Sequence, residues 1–180
     1  MLLLVDNGSV FTEKIAQHLI SNKTKYVMMQ FERVNLSDLK NFGSIILSGR
    51  RHNDQTMNAL NSKIVNHSIA EKKPLLGICY GAEILALTVG GTIRKMLEIQ
   101  KGPSTVQIMQ NNPLCNGLIQ VYQSHSYEIS QLGKSLIHLG SSDSCKNEII
   151  QYKNSKIFGT QFHPEMTEDG LKLIEKFVNL

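Results

Sequence analysis

Residues 74–85 read PLLGICYGAEIL, and the rest of the chain is organised around them. Leu75, Leu76 and Ile78 form a short apolar run of the kind buried in a parallel sheet, and helix-forming residues follow at once. Between the two lies Gly77-Ile78-Cys79-Tyr80-Gly81. This Gly-x-Cys-x-Gly is the cysteine counterpart of the strand–turn–helix nucleophile elbow. A nucleophile at the tip of a strained turn needs neighbours without Cβ, so that strand and helix pack closely and the sulfur stays accessible. A helix beginning at Tyr80 aims its unpaired N–H groups at that sulfur, which favours thiolate over thiol. A cysteine after an apolar strand is more commonly a small buried hydrophobe. The flanking glycines at a strand–helix junction favour the nucleophile here.

The segments upstream repeat the same pattern. Leu2–Val5 is an apolar strand closed by Asp6-Asn7-Gly8, and Phe11, Ile15, Leu19 and Ile20 recur at helical spacing. Tyr26–Met29 is a second strand, and Ser44–Ser48 a third that stops at Gly49. Met57, Leu60, Ile64 and Ile69 mark a helix ending before Pro74. Alternating apolar strands and amphipathic helices predict an α/β fold with an open, mostly parallel, doubly wound sheet flanked by helices. Beyond Gly91 the texture changes. Thr105–Met109, Leu118–Tyr122, Ser135–Leu139, Ile149–Tyr152 and Lys156–Gln161 are short strands separated by Gly, Asn, Pro and Ser, which predicts antiparallel additions to the sheet. Leu171, Ile174, Phe177 and Val178 form a last amphipathic helix. With no repeat or linker, residues 1–180 are expected to form a single domain.

Composition excludes more than it assigns. Apolar residues at 41% and charged residues at 19% describe an ordinary soluble globule. The net charge of +4 is scattered, with no basic run longer than Arg50-Arg51 or Lys72-Lys73, so no nucleic-acid partner is indicated. Cys79, Cys115 and Cys145 are odd in number and lack CxxC spacing, so neither a disulfide framework nor a metal site is expected. The apolar start is interrupted by Asp6, too soon for a signal peptide or membrane span. A cytoplasmic, reducing setting is the expectation.

In open α/β sheets, reactive groups gather beyond the carboxyl ends of the strands. Three such ends matter here: Gly49, Cys79 and Gln161-Phe162-His163-Pro164-Glu165. His163 can accept the Cys79 proton, and Glu165 can bind the other imidazole nitrogen and fix its tautomer. Pro164 between them helps to splay the two side chains. Taken singly, His163 is a half-buried histidine at a strand end and Glu165 an acid at a helix start. The elbow upstream makes the catalytic reading the stronger one.

Gly-Ile-Cys-Tyr-Gly at 77–81 with Gln-Phe-His-Pro-Glu at 161–165 resembles the class I glutamine amidotransferases, over essentially the whole chain. The resemblance implies a triad of Cys79, His163 and Glu165. It also implies an oxyanion hole from the backbone N–H groups of Tyr80 and Arg50. Gly49, Glu83, Ser124, His125 and Ser126 are then the glutamine-binding positions. Within the class, Val5-Asp6-Asn7-Gly8, Ile46-Leu47-Ser48-Gly49, Pro113-Leu114, Gly117-Leu118 and Ser141-Ser142 look most like the glutaminase subunit of GMP synthetase. The Asp6-Asn7 start and His125-Ser126 are also similar to the glutaminases of anthranilate synthase and imidazole glycerol phosphate synthase. What this implies is hydrolysis of glutamine through a Cys79 thioester, with ammonia passed to a separate ATP-pyrophosphatase-type synthetase in GMP and purine biosynthesis. No cofactor is expected on this chain, which lacks a phosphate-binding fingerprint. ATP and Mg belong to the partner.

Three positions depart from the family pattern. Arg50 and Arg51 stand where a second glycine and a proline are usual, and a positive φ would penalise Arg50. Ala82-Glu83 replaces His-Gln, and Glu83 can accept a hydrogen bond but offers an N–H to no ligand. Tyr127 replaces an aspartate after Ser124-His125-Ser126. These substitutions suit two further readings: a stand-alone hydrolase of γ-glutamyl or related amides, or a non-catalytic regulatory module. As bland alternatives, Arg50 and Arg51 are a solvated loop, Glu83 a helix-start acid, and His125 a strand-end histidine satisfied by backbone.

Overall fold

The four apolar runs of the first half each become a strand: β1 (Leu2–Asn7), β2 (Tyr26–Gln30), β3 (Ser44–Arg50) and β4 (Leu75–Ile78). The computed structural model describes residues 1–180 and places helices α1 (Thr12–Ser21), α2 (Gln55–Ala70) and α3 (Tyr80–Thr88) after β1, β3 and β4. Two long strands follow, β5 (Thr92–Ile108) and β6 (Leu118–Gln131). The chain ends with β7 (Leu136–Ser141), β8 (Ile149–Tyr152), β9 (Ile157–Thr160) and α4 (Glu168–Val178). All nine strands join one sheet in the order β2-β1-β3-β4-β9-β8-β7-β5-β6. Pairing is parallel from β2 to β9 and antiparallel from β9 to β6.

Strand periodicity explains how the parallel half is covered. Successive side chains alternate faces, so Leu2, Leu4, Ile46, Leu76 and Ile78 join a core with Ile15, Leu19, Leu173, Ile174 and Phe177 of α1 and α4. Leu3, Val5, Ile45, Leu47 and Leu75 join the opposite core with Met57, Ile64 and Val65 of α2 and Ile84 and Leu85 of α3. Strands buried on both faces must be apolar throughout, which is why these runs do not alternate in sequence. Asp54 caps α2 by accepting from the Met57 N–H at 2.7 Å, and Thr167 caps α4 through the Gly170 N–H at 3.2 Å. No helix is long and apolar enough to cross a membrane.

The antiparallel half departs from the expected lengths. Thr105–Met109 is only the end of β5, and Leu118–Tyr122 only the start of β6. Most of β5 pairs with β6 alone, since β7 meets it only at Gln107 and Ile108. Side chains of a two-stranded ribbon face solvent, so nothing selects an apolar alternation along Thr92–Ser104. The register also slips between Lys95 and Gln100, leaving Leu97 and Ile99 exposed on an out-turned segment.

Candidate active site

Cys79 stands between β4 and α3 with φ 52° and ψ −104°, a strained backbone for a residue with a side chain. Its surroundings force that turn. A Cβ on Gly77 would come within 2.4 Å of the Gly81 carbonyl, and one on Gly81 within 2.5 Å of the Leu47 carbonyl oxygen. Only glycine allows the helix to fold back so tightly on β4 and β3. No side chain caps the start of α3; the Ala82 and Glu83 N–H groups donate to the Cys79 carbonyl at 3.0 Å, and the positive end of the helix lies at the cysteine.

The second strand end supplies the imidazole. Parallel pairing of Ile78 with Thr160 aligns the ends of β4 and β9, and the Cys79 N–H donates to the Thr160 carbonyl at 2.7 Å. Three residues on, His163 is held by its N–H to the Tyr122 carbonyl at 2.9 Å and by the edge of Phe11, 4.8 Å between ring centres. Pro164 opens a short 3-10 turn that turns Glu165 back, and His163 Nδ1 lies 2.8 Å from Glu165 Oε1. Both side chains are buried. Burial opposes charging of His163. The Cys79 sulfur beside it and then the Glu165 carboxylate outweigh that penalty, and its pKa rises to about 10. The arrangement keeps a proton on the imidazole beside a sulfur at a helix start. Burial pushes the other two thiols up instead, Cys115 to about 11 and Cys145 further.

In front of Cys79 lies a cavity of about 330 Å³. Tyr80 and Glu83 of α3, Arg50 and Arg51 at the end of β3, and Ser124, His125, Ser126 and Tyr127 of β6 contribute to its walls. Of the predicted residues, Cys79, Tyr80, Arg50, Glu83, Ser124, His125 and Ser126 meet at this cavity, whereas His163 and Glu165 are buried beside Cys79 outside its lining. Gly49 lies within β3 outside that lining, and a Cβ there would come 3.0 Å from His163 Cε1. It makes room for the imidazole. Arg50 also differs from expectation. It is the last residue of β3, paired with Asn7 and bridged to Gly8, and its φ is negative, so arginine carries no backbone penalty there. Its guanidinium stacks 4.3 Å from the centre of the Tyr80 ring, donates to Asn53 and Asn58 at 2.7 and 3.1 Å, and lies 3.9 Å from Glu83. Arg50 is thus no solvated loop residue.

Glu83 is 4% exposed, and burial raises its pKa, with Arg50 and then Gln161 opposing. Gln161 Nε2 donates to it at 3.3 Å. The side chains of Tyr80, Asn58 and Asn53 carry no sequence signal as site residues. The family resemblance implies a backbone role alone for Tyr80, yet its ring carries Arg50 and its hydroxyl donates to Asn58 at 2.8 Å. Ile99 enters the lining from the ribbon, a strand that the hydropathy pattern does not reveal. No group of three or more His, Cys, Asp and Glu side chains is placed to hold a metal ion.

Comparison with known proteins bears on the family and the fold. The family described as Glutamine amidotransferase class-I matches residues 3–180. GMP synthase [glutamine-hydrolyzing] from Yersinia pestis (strain Pestoides F) is 26% identical over 192 aligned residues, covering 98% of this chain and 36% of its own length. The Yersinia pseudotuberculosis (serotype I, strain IP32953) protein of that name gives the same figures, so this chain spans about a third of the curated relatives it matches. Among solved structures, a candidate GMP synthase subunit from Thermoplasma acidophilum superposes with TM-score 0.88 at 25% identity, over 99% of this chain and 92% of the other. A glutamine amidotransferase from Thermotoga maritima shares the fold, with TM-score 0.80 at 16% identity over 99% and 80%. A match across nearly all of its residues makes this chain a member of the class I glutamine amidotransferases.

Proposed function

We propose that this chain is a glutaminase that hydrolyses glutamine to glutamate and ammonia through a thioester on Cys79. The observation that carries the reading is a strained cysteine at a helix start that opens on a cavity and is backed by the buried His163–Glu165 pair. Cys79 thiolate attacks the side-chain carboxamide. The tetrahedral oxyanion takes the N–H of Tyr80, the residue after the nucleophile, with Arg50 as the second backbone donor. His163 protonates the departing ammonia and then removes a proton from the water that releases glutamate. Glu165 holds the imidazole tautomer throughout. Ser124, His125 and Ser126 wall the substrate, and Glu83 accepts from its amine end.

The ammonia goes to a synthetase partner, as the GMP synthase relatives suggest, with ATP and magnesium handled by that partner in the cytoplasm. The buried Glu83 beside Arg50 also favours a second reading, a hydrolase acting alone on other γ-glutamyl amides. Glutamate release from glutamine, measured with and without an added GMP synthetase partner, separates the two. Stimulation by the synthetase supports the first reading. Partner-independent turnover of other amides supports the second, and a folded, silent protein contradicts both.

A further inference from the structure

Both ring nitrogens of His125 are engaged inside the protein. Nδ1 lies 2.8 Å from the Tyr127 carbonyl oxygen, and Nε2 lies 2.9 Å from Gln123 Oε1. The Gln123 amide nitrogen donates to Glu148 Oε1 at 2.6 Å, and that oxygen also accepts from Ser142 Oγ at 2.6 Å. Gln123 and Glu148 are 2% and 0% exposed, and Glu148 Oε2 is buried with no partner. The proposed chemistry above uses none of this chain of side chains beyond His125 itself.

Counting donors shows what the chain can do. A carbonyl only accepts, so His125 Nδ1 carries a proton. With the Gln123 oxygen facing it, Nε2 carries one as well; the ring is then an imidazolium and Glu148 a carboxylate. Turned over, the amide offers its NH₂ to a neutral Nε2, and its oxygen accepts a proton from a neutral Glu148. The two arrangements contain the same number of protons. Burial acts on both ends in the same sense, raising Glu148 to about 7 and lowering His125.

We propose that Glu148 is a positioning residue for His125, acting through the Gln123 amide, so that the pocket histidine and the buried carboxylate hold one proton between them. The charged and titratable groups facing the pair are His163, Glu128 and the Cys145 thiol, with Arg94 paired to Glu128 at 2.6 Å. A charged His125 opposes an imidazolium at His163. Passing its proton to Glu148 leaves His163 as the only cation of the two histidines. That consequence for turnover rests on the glutaminase reading, whereas the proton link is a property of the resting protein.

The test follows the imidazole nitrogen shifts of His125 by NMR between about pH 5 and 8. Glu148→Gln imitates the protonated carboxyl and is expected to lower the proton affinity of His125 about tenfold, fixing the Nδ1–H tautomer. The same substitution on a Gln123→Leu background leaves His125 unmoved, because the link is cut. Ser142→Ala, at the outer end, withdraws one donor from Glu148 and moves His125 by less than Glu148→Gln does. An unchanged His125 in Glu148→Gln, or an equal shift with and without Gln123, overturns the proposal. The readout needs no turnover, so inactivity on glutamine with the expected shifts would count against the glutaminase reading alone.

Discussion

From β1 to β9 in the sheet order the strands run parallel and buried on both faces, with β2 the half-exposed edge, and Cys79 and His163 stand beyond the ends of β4 and β9. From β8 to β6 they run antiparallel and end in a ribbon where Leu97 is fully exposed and Ile99 is 71% exposed. Both regions face the same cavity. The parallel half fixes its groups by backbone sterics and strand register, which leave a side chain almost no freedom. The ribbon supplies its wall from strands supported mainly by each other. The candidate nucleophile therefore stands where packing is tightest, and the open wall of the cavity is built where packing is loose.

The comparison breaks most visibly at the nucleophile. Cys79→Ala should remove turnover by about 10⁶-fold while leaving the denaturation midpoint close to wild type, read by glutamate release and chemical unfolding. Next, Gly81→Ala places a methyl against the Leu47 carbonyl and should cost at least about 1–3 kcal/mol of stability, read by the same unfolding curves. Glu165→Gln withdraws the charge that helps to hold the His163 proton. The His163 imidazole should then lose its proton at lower pH, followed by its NMR nitrogen shifts, and turnover should drop by about 10²–10⁴-fold. The sign for stability follows from the same shift. With its folded pKa raised, His163 contributes fully below the ordinary value of 6.5, and the contribution is lost as pH rises through about 10. At the small end, Leu97→Ser on the ribbon should change stability by less than about 0.5 kcal/mol, since the side chain is fully exposed. A large loss there would show that the ribbon is as tightly built as the parallel half.

Legibility in the sequence follows the same divide. Gly77, Gly81 and the apolar runs around them announce β1, β3, β4 and the elbow because burial on two faces permits few other residues. Cys79, His163 and Glu165 are readable because each sits at the end of such a strand or just beyond it. Lys95, Glu98, Gln100 and Pro103 conceal β5, whose largely exposed run carries no apolar period. Arg50 reads as a loop residue because the apolar run stops before Gly49, whereas backbone pairing to Asn7 carries β3 on through it. The stacking of Arg50 on Tyr80, and the Gln123–Glu148 contact, join residues far apart in the chain and leave no local pattern to read.

The most direct test of the central claim is mass spectrometry of the folded protein after exposure to a glutamine-analogue electrophile. One adduct per chain, on Cys79, is the expected result, with Cys115 and Cys145 unlabelled because burial holds their thiols protonated. Equal labelling of all three cysteines, or an unreactive Cys79 in a folded chain, would contradict the account.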